Sequence, residues 1–317
     1  MVLLIAPARA SAASCTTQAG LSPQDRDALT AAGGRMAMAV AEQDLPALKA
    51  ALLPAVAQDW DGISTEVQAS ASLMKGGKLQ LRSLYLLDAS SLAAPADTQF
   101  FCSNANGSLT VTLTMRALPP GRYALVLADA AGAPYAGQLG IILAWDGPAS
   151  GWKLGGLTVR PGALDGRDGV WWWSRARELA KAGQPWSAWF ACETARALLL
   201  PVDFLSSPNL EKLEAEQTAI RNSPQDLFPL TLTTGDRTWK IDAIHPDLTL
   251  LHADLGVVYE STGVTDPAAQ RTEAMAVMSA VLKAQPGLRE SFHGLWAYAV
   301  KDGKQSPIME LPMAQIP

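Results

Sequence analysis

The fold is decided by residues 108–161, which read SLTVTLTMRALPPGRYALVLADAAGAPYAGQLGIILAWDGPASGWKLGGLTVRP. Over Ser108–Arg116, apolar side chains alternate with threonines, a pattern that predicts a strand with one face in water. Turns rich in glycine, alanine and proline separate three further predicted strands, Arg122–Ala130, Gln138–Asp146 and Trp152–Arg160. This stretch therefore predicts an antiparallel sheet that the rest of the chain covers or extends.

Length and composition bound the class of protein. The chain has 317 residues, of which 49% are hydrophobic and 17% charged, as in a folded protein of two or three domains. Its net charge is −5 and it has no long run of Lys or Arg, which argues against a nucleic-acid partner. No apolar run approaches the roughly 20 residues that span a bilayer, so no transmembrane helix is predicted.

Residues 1–14 are typical of the end of a secretory leader. They combine an apolar start with the small-residue patterns Ala8-Arg9-Ala10 and Ala10-Ser11-Ala12. No Lys or Arg precedes Arg9, so we expect either a start further upstream or an unusually short leader. Export to the periplasm or the extracellular space is the favoured location.

The cysteines leave two interpretations open for Cys15. It follows Ala12-Ala13-Ser14, which faintly resembles a bacterial lipobox and would make Cys15 a lipid anchor. Alternatively, Cys15 pairs with Cys102 in a disulfide, as is common in exported proteins. Cys192 is expected to be a buried free thiol.

The residues before the sheet predict helices. Ser22-Pro23 begins the first, Asp44-Leu45-Pro46 begins the second, and the third runs from Trp60 until Gly76-Gly77 ends it. Two further strands, Lys78–Asp88 and Thr98–Cys102, would complete a sheet of about six.

Residues 22–161 resemble the nuclear-transport-factor-2-like (NTF2-like) superfamily, which includes SnoaL-type proteins, ketosteroid isomerase and limonene-epoxide hydrolase. The matching features are the helix pair broken at Asp44-Leu45-Pro46, the Trp60-x2-Ile63 segment and the closing strand Gly151–Gly156. The resemblance implies helices packed on a strongly curved, cone-shaped antiparallel sheet.

The resemblance also implies where a small ligand would bind. Enzymes of this superfamily place an Asp general base and a Tyr or Asp donor inside the cone. The candidates here are Tyr85, Tyr123, Asp129 and Asp146. Both aspartates are predicted at strand ends beside turns, where a solvated carboxylate is the ordinary outcome, so no catalytic residue is assigned.

The segment after the sheet predicts a helical hairpin rich in tryptophan. Its small residues resemble a single tetratricopeptide (TPR)-like hairpin, although such repeats normally come in arrays. Three adjacent tryptophans point about 100° apart on a helix, so they cannot all enter one core. We expect them to pack the hairpin onto its neighbour or, less favoured, to bind a protein partner. The interface candidates are Trp171, Trp172, Trp173, Trp186 and Trp189.

A C-terminal module of strand–strand–strand–helix–strand–strand order is predicted over residues 225–317. Its histidines, His245, His252 and His293, lack metal-ligand spacing, so no metal or other cofactor is predicted. His252 and His293 could converge near Asp254, but solvent-facing or singly hydrogen-bonded histidines are the favoured interpretation.

Together these patterns predict an α+β protein with a leader (1–14), an NTF2-like domain (15–162), a helical hairpin (163–224) and a C-terminal α+β domain (225–317). The favoured function is non-catalytic binding or scaffolding in the bacterial cell envelope, with a small apolar ligand or a protein partner. The alternatives are a ketosteroid-isomerase-like enzyme acting in the cone and a protein–protein adaptor that uses the tryptophan-rich hairpin.

Overall fold

The computed structural model describes residues 13–317 apart from 104–106, 108–109, 134 and 235–236. All but the last two residues of the predicted leader lie outside the described residues, as do Ser108, Leu109 and two residues of the predicted turn at 235–237. The chain divides into two compact units. The N-terminal unit comprises the residues up to Gly162 together with Leu200–Glu211, and the C-terminal unit comprises Ala163–Leu199 and Lys212–Pro317.

The protein is a mixed α+β protein, as the sequence predicts. Its described α-helices are α1 (Pro23–Glu42), α2 (Leu45–Ala51), α3 (Trp60–Ala69), α4 (Ala71–Met74), α5 (Gly169–Lys181), α6 (Pro185–Leu199), α7 (Pro208–Thr218), α8 (Pro267–Ala284) and α9 (Leu288–Ser291). Its described strands are β1 (Ser14–Thr17), β2 (Lys78–Asp88), β3 (Ala96–Ser103), β4 (Thr110–Leu118), β5 (Arg122–Ala131), β6 (Gly137–Trp145), β7 (Trp152–Pro161), β8 (Ala163–Leu164), β9 (Arg167–Asp168), β10 (Leu205–Ser206), β11 (Leu230–Thr234), β12 (Arg237–Asp247), β13 (Asp254–Glu260), β14 (Gly294–Lys301) and β15 (Lys304–Pro312).

The helix boundaries follow the capping signals of the sequence. The Ser22 hydroxyl accepts a hydrogen bond from the Asp25 amide at 3.0 Å, and Pro23 occupies the first turn of α1. Helix α1 ends at Glu42, and its C-cap residue Gln43 has a left-handed φ of 60°. The Asp44 carboxylate then accepts from the Ala47 amide at 3.0 Å and begins α2. Each cap satisfies an amide that has no partner within its helix.

The N-terminal unit contains two sheets where the sequence predicts one. Strands β1-β2-β5-β6-β7, in that order, form an antiparallel five-stranded sheet. Strands β10-β4-β3 form a separate three-stranded sheet. The expectation of one six-stranded sheet is therefore wrong, because β2 pairs with β5 and the β3–β4 hairpin leaves the sheet.

Burial of the hairpin explains this arrangement. Phe100 and Cys102 on β3 and Leu113 on β4 are fully buried, and they belong to one apolar cluster with Leu125 and Leu127 of β5. If the hairpin paired with an edge of the five-stranded sheet, its apolar face would remain uncovered. Packing it on the larger sheet removes it from water, so the hairpin forms a second layer.

The helices cover the opposite face of the five-stranded sheet. Successive side chains of a strand point to opposite faces, so Val126 faces away from Leu125 and towards α1. At that contact α1 has Gly33, where an added Cβ would lie 2.8 Å from Val126 Cγ1. The lack of a side chain at Gly33 therefore lets the helix backbone lie close to β5.

The division into units changes one predicted boundary. The boundary after residue 162 coincides with the end of the first part of the N-terminal unit. The hairpin predicted at 163–224 does form, as α5 and α6, but it is not a separate unit. Its buried Trp172 and Ala188 share one core with Leu255 of β13 and Val277 of α8. Two amphipathic helices alone cannot bury their apolar faces, so they pack into the C-terminal core.

The C-terminal unit is built on a five-stranded sheet in the order β11-β12-β13-β14-β15. Strands β13 and β14 are parallel, and α8 lies between them in sequence, while the other neighbours pair antiparallel. The strand–strand–strand–helix–strand–strand order is the predicted one. The parallel pair brings the starts of β13 and β14 to the same end of the sheet, which determines where the polar side chains at those starts meet.

Candidate functional site

The four cone candidates do not meet in a pocket. The Tyr123 hydroxyl donates to the Pro119 carbonyl at 2.9 Å, and burial raises the pKa of this phenol. Asp129 forms an ion pair with Arg82 at 3.1 Å, and Asp146 is exposed beyond the end of β6. Tyr85 lines a small cavity of about 190 Å³.

The second sheet explains why these four residues do not form a pocket. The face of β2 and β5 that carries Tyr85 and Tyr123 is covered by the β3–β4 hairpin and its buried side chains. A cone would leave this face open around a ligand. Here protein side chains fill that space, so the geometry gives the ketosteroid-isomerase-like alternative no pocket at the predicted residues.

The predicted disulfide partners lie in the N-terminal unit. The sulfur atoms of Cys15 on β1 and Cys102 on β3 are 2.00 Å apart, so a disulfide joins the two sheets. A sulfur in a disulfide cannot also carry the thioether of a lipid anchor. Of the two interpretations of Cys15, the structure has the disulfide, and Cys192 is a buried free thiol.

The tryptophans of the hairpin divide between core and surface. Trp172 is 4% exposed and stacks on Phe292, with ring centroids 5.8 Å apart. Trp186 is also buried and contacts Phe228 edge to face. Trp171, in contrast, is 36% exposed. Because only one face of α5 packs against the core, its three adjacent tryptophans cannot share one environment.

The other two tryptophans bind carboxylates. Trp173 donates from Nε1 to Glu216 at 2.7 Å, and the Arg177 guanidinium, 4.4 Å from its ring, binds the same carboxylate. Half-buried Trp189 donates to Glu193 on the next turn of α6. Burial raises the pKa of Glu193 to about 7, more than its hydrogen bonds lower it. Glu193 thus titrates near neutral pH.

A groove of about 470 Å³ lies beside α8 in the C-terminal unit. Its apolar lining consists of Trp239, Met275, Ala276, Met309 and Pro317. Three cationic side chains also line it: Arg237, Arg271 and Lys283. Among the described residues that line this groove, none has a carboxylate side chain. An apolar surface edged by positive charge suits a molecule with an apolar body and an anionic end.

Two histidines and three carboxylates meet at one end of the C-terminal sheet. This carboxylate–histidine cluster consists of Asp165, His252, Asp254, His293 and Glu310. The two imidazole rings are stacked, with centroids 4.2 Å apart and planes inclined by 22°. The two histidines converge, which was the less favoured interpretation of the sequence, and each is also partly exposed with one carboxylate partner, as the favoured interpretation expected.

A carboxylate orients each ring of the cluster. His252 Nδ1 lies 2.6 Å from Asp165 Oδ1, and the other Asp165 oxygen accepts from the Ala253 amide at 3.1 Å. His293 Nδ1 lies 2.9 Å from Asp254 Oδ1. The hydrogen bond to Asp165 is the largest cause that raises the pKa of His252. With Nδ1 engaged, the ring nitrogen left for another partner is Nε2 in both residues.

Glu310 completes the cluster from β15. Burial, and then the charge of Asp254, raise the pKa of its carboxyl. A Cβ added at Gly294 would lie 2.8 Å from Glu310 Oε1 and 2.9 Å from Asp254 Oδ1. Gly294 therefore leaves the space in which the two carboxylates approach each other. Such a group of nitrogen and oxygen donors can bind a cation or exchange protons.

Part of this cluster is predictable from the sequence. His252, His293 and Asp254 can converge near the start of one strand, but nothing in their spacing links Asp165 or Glu310 to them. Glu310 lies on the edge strand β15, and Asp165 lies in a tight turn between β8 and β9. Neither position carries a local signal for a site.

Comparison with protein-family models, curated proteins and solved structures finds no match for this chain. None of the helices that the structure describes is both long and apolar enough to cross a membrane.

Proposed function

We propose that this chain is an exported binding protein of the bacterial-type cell envelope, without catalytic activity of its own. We propose further that its C-terminal unit binds a small apolar molecule with an anionic end, such as a medium-chain fatty acid. The groove beside α8 is the single observation that carries the ligand proposal. The leader-like residues 1–14 and the Cys15–Cys102 disulfide support export, because disulfides persist in oxidising compartments.

The charge and shape of the groove favour this ligand class. The chain has a net charge of −5, yet three cationic side chains line this groove. Buried Trp239 and half-buried Met275 and Met309 offer the apolar surface that an alkyl chain requires. Met side chains also adapt to ligands of varied shape.

Calorimetric titration with decanoate below its micellar concentration tests the ligand proposal. Decanoate should bind, uncharged decanol should bind more weakly, and added salt should weaken decanoate binding. The Arg271→Ala/Lys283→Ala variant should bind decanoate several-fold more weakly, since each exposed ion pair contributes about 0.5–1 kcal/mol. Lys181→Ala, which removes an exposed cation of α5 outside the groove, is the matched control. Equal binding of decanol and decanoate, or an unchanged double variant, refutes the proposal.

The mass of the mature chain recovered from the periplasm tests export separately. We expect a chain that lacks the leader residues and is two hydrogens lighter than its reduced form. A chain that keeps Met1, or that stays in the cytoplasm, contradicts export.

The relation of residues 22–161 to the NTF2-like superfamily also remains a proposal. It is supported by the layer of helices on one face of an antiparallel sheet, which is the arrangement that the resemblance implies. The separate β3–β4 hairpin is where this chain departs from that expectation.

A protein–protein adaptor is the second candidate function. Val170 is 58% and Trp171 36% exposed, and they are adjacent at the start of α5. Aromatic side chains at such positions concentrate binding energy. A photo-crosslinking residue at 170 should capture a specific partner in the envelope, and one at the exposed position 181 should not. Equal capture at both positions, or none at either, argues against the adaptor.

A further inference from the structure

We propose that Asp254, His293 and Glu310 form a binding site for one divalent transition-metal ion of the Zn²⁺ type. This site is independent of the groove beside α8 and of any ligand bound there. The donor atoms of the three side chains, one imidazole nitrogen and two carboxylate oxygens, lie within 4.8 Å of one another.

The strand topology brings the three side chains together. Asp254 begins β13 and is paired in parallel with Gly294, the first residue of β14, so His293 lies next to Asp254. Strand β15 runs antiparallel to β14 and places Glu310 opposite Trp296, two residues along from Gly294. The missing side chain at Gly294 leaves the space into which Glu310 and Asp254 both reach.

Two buried oxygen atoms in this space lack a protein partner. The Asp254 side chain is 0% exposed, and only one of its oxygens contacts His293. Among the described residues, Asp254 Oδ2 and Glu310 Oε1 are buried and have no hydrogen-bond partner. A buried carboxylate oxygen without a hydrogen-bond partner destabilises the fold, because it has lost its hydration, whereas an exposed oxygen keeps it. Two neighbouring carboxylates also repel each other. A divalent cation between these oxygens removes both penalties.

The donor set indicates the class of ion. Imidazole nitrogen with carboxylate oxygen suits Zn²⁺, Mn²⁺ or Ni²⁺, whereas Ca²⁺ and Mg²⁺ favour oxygen ligands alone. Bonds of about 2.0–2.2 Å to Zn²⁺ require the donors to close by roughly 1 Å. Rotation of the half-exposed Glu310 and His293 side chains can supply this movement. Three protein ligands leave a fourth position for water or a small anion.

Metal titration of the folded chain tests this proposal. The protein, treated with EDTA and then freed of the chelator, is titrated with ZnCl₂ by calorimetry, and MgCl₂ serves as the comparison ion. We expect one Zn²⁺ per chain and at least ten-fold weaker Mg²⁺ binding. His293→Ala and Glu310→Gln should each raise the Kd for Zn²⁺ at least ten-fold.

His245→Asn is the matched control, because His245 is another half-buried histidine of the same sheet that lies outside the cluster. It should leave Zn²⁺ binding unchanged. Glu310→Gln keeps the proposal testable if Asp254 variants fail to fold, since Glu310 lies on the edge strand. The proposal is overturned if wild-type protein with a native circular dichroism spectrum does not bind Zn²⁺ at concentrations up to about 1 mM. A Kd of that size corresponds to a binding free energy of about −4 kcal/mol. Binding that survives both His293→Ala and Glu310→Gln also overturns it.

Discussion

Replacement of Glu193 by glutamine should make the stability of the C-terminal unit less sensitive to pH. Glu193 lies on α6, where it accepts a hydrogen bond from Trp189 and contacts Gln217. Burial raises the pKa of its carboxyl to about 7 from an ordinary value of 4.5. Glutamine has nearly the same shape and keeps an acceptor for Trp189, but it carries no charge at any pH.

The sign of the effect follows from proton linkage. Between pH 4.5 and 7 the folded chain holds a proton on Glu193 that the unfolded chain has released. The stability that this proton confers is fully present below pH 4.5 and is lost as the pH rises through 7. At about 1.4 kcal/mol per pH unit, the full difference between 4.5 and about 7 is about 3.5 kcal/mol. Because Glu193 keeps some contact with water, we expect about 2 kcal/mol.

The effect is measured by urea unfolding, monitored by near-ultraviolet circular dichroism of the tryptophans. The two conditions, pH 5 and pH 8, lie on either side of a pKa of about 7. The free energy of unfolding of Glu193→Gln, minus that of wild type, should be about 2 kcal/mol larger (the variant relatively more stable) at pH 8 than at pH 5. Glu214→Gln makes the same chemical change at an exposed position of α7 and should show no such difference. A Glu193→Gln effect that is the same at both pH values refutes the reasoning.

Three further predictions concern packing. Replacing Cys15 and Cys102 by serine should lower the free energy of unfolding of the N-terminal unit by about 4 kcal/mol, because the disulfide closes a loop of 87 residues; dithiothreitol should lower the urea midpoint of wild type and leave that of the variant unchanged. Gly33→Val should cost roughly 1–3 kcal/mol in thermal or urea unfolding, because its Cβ would lie 2.8 Å from Val126 Cγ1. Val126→Ala should recover part of that loss in the double variant, and simple additivity would show that the two residues do not collide. Trp172→Ala should cost about 3–5 kcal/mol, since its ring is 4% exposed, and a loss under 1 kcal/mol would place it outside the core.

The sequence by itself determined the elements and many of their boundaries. The caps at Ser22 and Asp44 fix helix starts through hydrogen bonds within three residues of chain, so they can be read locally. The alternation over β4–β7 and the order of the C-terminal module are equally local, because the period of a strand is a property of adjacent residues. The pairing of Cys15 with Cys102 was one of the two interpretations that the sequence left open for Cys15, and the structure has it.

Only the tertiary structure decided which elements pair and what they bring together. The alternation of β3 and β4 predicts an apolar face. That face could be buried if the two strands joined a six-stranded sheet, or if they formed a second layer. The choice depends on Leu125 and Leu127, which lie more than 20 residues away in sequence from Phe100 and belong to the same buried cluster. For this reason the expected pocket around Tyr85 and Tyr123 is filled.

The carboxylate–histidine cluster has the same origin. Asp165, His252 and Glu310 come from a turn, a loop and an edge strand, separated by 87 residues in the case of Asp165 and His252. The meeting of Asp254, His293 and Glu310 follows from the pairing of β14 with both β13 and β15 and from the space left at Gly294. Side-chain type and local period set the elements of this protein, whereas the burial of apolar faces over long sequence distances set its sites.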